Sequence, residues 1–251
     1  MNADAAWKTP YIDKIAEEGI RFTDAHSGSA VCSPTRYGVL TGRYAWRTHL
    51  KEGVLWSWDP PLIRQEETTV GKLLQEKGYT TACVGKWHLG LDWAYHAEDP
   101  DSVDFSRAVS GGPTTLGFDY FFGITASLDI PPYVYIENDR PTMVPVNFTR
   151  NDSEYGWWRN GLTGEDFVHE EVLPVLTHKA VAFIDRHMAS GISELQSAGK
   201  DRIECRAGDH SQLPCLRNSL GQPPIRYTSS HAALNDHRVC HLFSFMLHSR
   251  T

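Results

Sequence analysis

The stretch Gly78-Tyr79-Thr80-Thr81-Ala82-Cys83-Val84-Gly85-Lys86-Trp87-His88 decides the fold. Residues 79–84 are β-prone, bounded by glycines and free of polar alternation, as in a strand buried on both faces. Upstream, the pattern from about Thr69 to Lys77 predicts a helix closed by Gly78. Helix, doubly buried strand and then a polar loop is the α/β arrangement. Ligands of open α/β sheets gather outside the carboxyl ends of the strands, so Lys86 and His88 are expected to face one crevice. Taken singly they would be a solvated lysine and a satisfied histidine. Their place directly after the strand assigns them to a site.

Further elements follow on both sides. Thr9-Pro10 predicts a helix start, with Ile12, Ile15 and Ala16 on one side and Gly19 as a left-handed stop. Ile20-Arg21-Phe22-Thr23 alternates like a half-buried strand. Residues 93–115 read as a polar loop, 117–124 as an aromatic strand or turn, and 131–145 as an irregular hairpin. A helix is predicted over 174–188, with Leu176, Ala180, Phe183, Ile184 and His187 on one face and Gly191 after it. The sequence therefore divides into a body, 1–191, and a tail, 192–251. The tail lacks a sustained apolar period before the run 242–247 and is expected to be irregular or disordered.

With 251 residues, a net charge of −7, 41% hydrophobic and 22% charged residues, the composition is that of a globular protein. Fibrous and mostly disordered classes are excluded. No apolar run approaches the roughly 18 residues of a membrane span. An acidic chain without a basic stripe is not built for nucleic acid.

A second stretch carries chemistry: Ala30-Val31-Cys32-Ser33-Pro34-Thr35-Arg36-Tyr37-Gly38-Val39-Leu40-Thr41-Gly42. A short helix is predicted from Pro34 to about Leu40, and Cys32 stands just before it, among backbone N–H groups without helical partners. That end favours an anion or a thiolate, and Arg36 adds forked donors suited to a tetrahedral oxyanion. Cys32, Arg36, Lys86 and His88 together describe a site for an anionic ester.

These two stretches resemble the signatures of the sulfatases, in particular the arylsulfatase group of the alkaline phosphatase-like superfamily. Cys32-Ser33-Pro34-Thr35-Arg36 with Leu40-Thr41-Gly42-Arg43 is similar to the first, and Gly78-Tyr79 through Val84-Gly85-Lys86-Trp87-His88 to the second. The resemblance runs from about Thr9 to Gly191. It implies an α/β fold: part of an alkaline phosphatase-like sandwich with a mostly parallel central sheet, lacking the first strand and the C-terminal part. It also implies that Cys32 is oxidised to formylglycine by a formylglycine-generating enzyme, with a sulfate ester as substrate. Arg36 would steady the hydrated aldehyde, and Lys86 and His88 would bind sulfate oxygens or the hydrate. Ser127, after Gly117-Phe118-Asp119 and Gly123-Ile124, would contact the same site.

The family also binds calcium, through two aspartates on the first strand and a late Asp-Asn or Asp-His pair. The first strand would precede Met1, and Asp209-His210 has the letters without the strand and helix around them. With only formylglycine at position 32 left as a ligand, weak or absent metal binding is expected. Periplasmic, secreted or lysosomal location is implied by the family, although residues 1–8 hold no signal sequence. Two other readings stay open: a phosphate-ester hydrolase of the same superfamily, which Cys32 and Pro34 disfavour, and a non-catalytic remnant truncated at both ends. Trp56 with Trp58, and Tyr133 with Tyr135, read either as sugar-stacking platforms or as packed faces. Cys83 is read as core, and Cys205, Cys215 and Cys240 lack the paired spacing of a zinc site.

Overall fold

The 79–84 run becomes the strand β1, Thr80–Lys86, buried from Thr81 onward. The computed structural model describes residues 8–152, 157–198 and 239–244. Before β1 come helices α1 (Pro10–Glu18), α2 (Cys32–Thr41) and α3 (Val70–Glu76). After it come β2 (Tyr95–His96), β3 (Asp99–Val103), β4 (Tyr120–Ile124), β5 (Tyr135–Glu137), β6 (Arg140–Pro141), β7 (Asn147–Thr149), β8 (Gly161–Thr163), α4 (Val172–Ala198) and β9 (Val239–Ser244).

Five strands form one sheet in the order β6-β5-β4-β1-β9. β1 runs parallel to both neighbours, with Val84 opposite Phe122 on β4 and opposite Phe243 on β9. β5 and β6 add antiparallel pairs at the far edge, so the sheet is mixed, with its parallel part centred on β1. Successive side chains of a strand point to opposite faces. Cys83 and Phe121 pack on one face with Tyr37 and Leu40 of α2; Val84, Phe122 and Ile124 pack on the other with Val172, Leu176 and Ala180 of α4. A sheet covered on both faces tolerates a nearly unbroken apolar strand, which is why β1 shows no alternation. Each fully buried side chain of this kind contributes roughly 1.5–3 kcal/mol.

Closeness of β1 and β4 is set by Gly123, where a Cβ would stand 1.8 Å from the Gly85 carbonyl oxygen. α3 starts at Thr69, whose hydroxyl accepts from the Lys72 N–H at 3.2 Å, and Gly78 follows at φ 79°. Both ends match the sequence-based expectation.

Several expectations fail. The apolar stripe of α1 is not buried: Ile12 and Ile15 are 54% and 71% exposed, and Gly19 has φ −121° rather than a left-handed angle. Residues 20–23 form no strand, because their alternation finds no ladder partner among the described residues. The 93–115 segment is not merely a polar loop. It contains the β2–β3 hairpin and buries Trp93, Phe105 and Val109. α4 runs through Gly191 to Ala198, since one glycine costs a helix only about 1 kcal/mol. Of residues 192–251, those described are helical at 192–198 and form β9 at 239–244. Asp209-His210, Cys205 and Cys215 lie outside the described residues. No helix among those described is long and apolar enough to cross a membrane.

Candidate active site

β1 ends at Lys86, but its parallel ladder to β4 continues in the backbone. The Trp87 N–H donates to the Ile124 carbonyl and the His88 N–H to the Thr125 carbonyl, both at 2.9 Å. His88 then takes φ 58°, a left-handed angle uncommon for a residue with a Cβ. Its ring Nε2 lies 2.7 Å from the Leu55 carbonyl oxygen. Its Nδ1 is buried with no hydrogen-bond partner among the described residues.

α2 delivers Cys32 to the same place. The helix opens at Cys32, with Val31 in extended conformation before it and the Thr35 N–H closing the first turn on the Val31 carbonyl at 3.2 Å. Lys86 Nζ donates to Cys32 Sγ at 2.9 Å and to Ser127 Oγ at 3.2 Å. Arg36 Nη1 donates to the Lys86 carbonyl at 2.7 Å, tying the second turn of α2 to the end of β1. Ser33 is fully buried, and its hydroxyl accepts the Leu55 N–H at 3.1 Å. Leu55 is thus held from both sides, its N–H by α2 and its carbonyl by His88.

The structure therefore gathers all five expected residues. Cys32, Lys86 and Ser127 are joined directly, Arg36 through the Lys86 backbone, and His88 through Leu55 and Ser33. The electrostatics follow from crowding cations at a helix start. Burial, with Lys86 as the next contributor, pushes His88 down to about 4, so it is neutral at pH 7. Burial also lowers Lys86 from its ordinary value, opposed by its bond to Cys32, and lowers Arg36, opposed by its electrostatic interaction with Cys32 and Cys83. Cys83, behind the site, is pushed up to about 12 by burial and stays an inert thiol. Chemically, the arrangement offers a nucleophile position among donors and positive charge.

A sulfatase family model matches residues 2–187, nearly three quarters of the sequence. The chain belongs to the sulfatase family. An N-acetylgalactosamine-6-O-sulfatase of Bacteroides thetaiotaomicron is 34% identical over 166 residues, which cover 64% of this chain and 30% of that protein. Mouse arylsulfatase G is 38% identical over 175 residues, 66% of this chain and 27% of that one. The human arylsulfatase G match is 39% identical over 125 residues, 49% and 20% of the two chains. This sulfatase chain thus spans a fifth to a third of the length of these relatives. A solved structure from the metabolism of multiple glycosaminoglycans by Bacteroides thetaiotaomicron superposes with a TM-score of 0.59 at 29% identity, over 71% of this chain and 43% of that one. The fold is accordingly alkaline phosphatase-like.

Calcium fits the described residues poorly. It takes six to eight oxygen ligands, whereas the side chain that meets Cys32 Sγ is the Lys86 ammonium, itself bonded to one hydroxyl, that of Ser127. Among the described residues no group of three or more His, Cys, Asp or Glu is placed to hold a metal. The nearest acidic influence on Lys86 and His88, Asp129, is ion-paired with Arg159. Asp129, Ser33 and Leu55 are parts of the site that sequence reasoning missed. Asp129 sits two residues past Ser127 in a loop without a spacing signal, and Leu55 acts only through its backbone. The Tyr133–Tyr135 pair is buried core, whereas Trp56 is half exposed beside the site.

Proposed function

We propose that this chain carries the anion-binding part of a sulfuric ester hydrolase, acting on aryl or carbohydrate sulfates, with Cys32 as the formylglycine precursor. The supporting observation is the Lys86 ammonium, 2.9 Å from Cys32 Sγ and 3.2 Å from Ser127 Oγ at the start of α2. Those polar neighbours suit oxygen atoms on the residue-32 side chain. As formylglycine, residue 32 supplies a hydrated aldehyde, one hydroxyl to take the sulfuryl group and the other to release sulfate. A formylglycine-generating enzyme is then the partner needed for maturation.

Each remaining residue has a separate task. Lys86 bridges the residue-32 side chain and a sulfate oxygen, matching its charge to the one that develops on the ester. Neutral His88 gives its Nε2–H to the Leu55 carbonyl, so Nδ1 is an acceptor, left to take a hydrogen bond from a hydroxyl of the hydrate. Arg36 holds the end of β1 against α2 and adds positive potential. Ser127 Oγ orients the Lys86 ammonium. Calcium enters none of these steps, because the described residues do not assemble its oxygen ligands.

The deciding experiment is mass spectrometry of the Cys32 peptide from the native host. An aldehyde at residue 32 is expected; a wholly unmodified thiol removes the hydrolysis mechanism.

A further inference from the structure

The pocket has a rim that its chemistry does not use. Trp56 follows Leu55, the residue clamped between Ser33 and His88. Its own backbone is fixed by a turn, with its N–H donating to Asp59 Oδ2 at 2.6 Å and its carbonyl accepting the Asp59 N–H at 3.2 Å. Asp129 follows Ser127 by two residues and accepts the Arg159 N–H on its carbonyl at 3.0 Å. The Arg159 guanidinium pairs with the Asp129 carboxylate and lies over the Trp56 ring, 5.1 Å from its centroid. One arm comes from the segment bonded to His88 and the other from the loop after Ser127, so the Arg159–Trp56 contact links the two segments that carry the site.

This contact is exposed. Trp56 is 50% exposed, and the Arg159 side chain 51%. The side-chain hydrogen bonds of Arg159 run through Nη1, leaving Nε and Nη2 without protein partners among the described residues. Asp129 cancels its charge. A half-bare indole beside a neutralised guanidinium suits a ring with one apolar face and neutral hydrogen-bond acceptors, which describes a pyranose better than a second anion.

We infer that Trp56, with Arg159 held by Asp129, forms the platform on which the sugar ring of a sulfated pyranoside rests while its sulfate lies at Lys86. The inference rests on the proposed sulfate-ester reading and names its substrate class. Binding to the full chain is measured by calorimetry with galactose 6-sulfate and with methyl sulfate, an equal anion without the ring. The native chain is expected to hold galactose 6-sulfate roughly 5- to 10-fold more tightly, the scale of one aromatic stacking contact. Trp56→Ala is expected to abolish that preference with methyl sulfate affinity unchanged, which also shows that the variant is folded. Lys86→Ala is expected to weaken both ligands. Equal affinity of the native chain for the two probes, or a preference that survives in Trp56→Ala, overturns the platform and leaves the anion pocket intact. Failure of methyl sulfate to bind the native chain, or equal methyl sulfate binding by Lys86→Ala, overturns the anion pocket instead.

Discussion

His88 is 2% exposed and placed near two cations, Lys86 and Arg36, so protonating it in the folded state is costly. Its value of about 4 lies below the ordinary 6.5, so between those two values the unfolded chain binds the proton more readily. Stability is therefore full above about pH 6.5 and falls as pH drops toward 4, by on the order of 3 kcal/mol. Thermal melts across that window should show the loss, and His88→Gln should flatten the curve; an unchanged slope in the variant would place the titration elsewhere. Lys86→Met keeps most of the side-chain volume and removes the charge. Sulfate affinity should fall at least about tenfold, the scale of a lost charge-assisted hydrogen bond, as read by calorimetry with inorganic sulfate.

At the level of elements, the end of β1 and the start of α2 are held together by contacts whose loss should be separable from chemistry. Ser33→Ala leaves the Leu55 N–H buried without its acceptor and should cost about 1–3 kcal/mol in denaturant unfolding. Gly123→Ala puts a methyl group onto the Gly85 carbonyl and should cost more, because two backbones would have to separate. A Gly123→Ala melt matching the native one would show that the β1–β4 spacing is not tight. What the sequence made legible here was whatever is encoded locally. Glycine punctuation and an unbroken β-prone run revealed β1, a capping threonine revealed α3, and proline with cysteine revealed α2. The five expected site residues come together because Cys32 and Arg36 lie in the first two turns of α2, Lys86 and His88 at or just past the end of β1, and Ser127 just past β4. Residues 20–23 had a strand's alternation, but alternation marks a strand only where a ladder partner exists. β7, β8 and β9 are defined by distant partners, and Asp129 reaches the site through a loop, so no window of sequence contained them.

For the molecule as a whole, the exposed apolar side chains of α1 and its sequel matter most. Ile12, Ile15, Ile20 and Phe22 are all more than half exposed along one short stretch. A run of this kind favours association. Light scattering should show concentration-dependent association that Ile12→Ser with Ile15→Glu reduces; a monodisperse native sample at all concentrations would count against it. Turnover is also a property of the whole. Because the described residues supply no oxygen cage, hydrolysis of a generic aryl sulfate by the 251-residue chain is expected to be feeble and insensitive to added calcium. Robust, calcium-dependent rates would overturn this.

The place of β9 has a consequence in time. β1 ends at Lys86, yet the strand covering its second edge begins only at Val239. At a ribosome's pace of roughly 5–20 residues per second, that edge waits on the order of 10–30 s for its cover. Throughout that interval the growing polypeptide presents the bare backbone donors and acceptors of that edge to its surroundings. Chaperone supply during translation should therefore govern the yield of correctly assembled product.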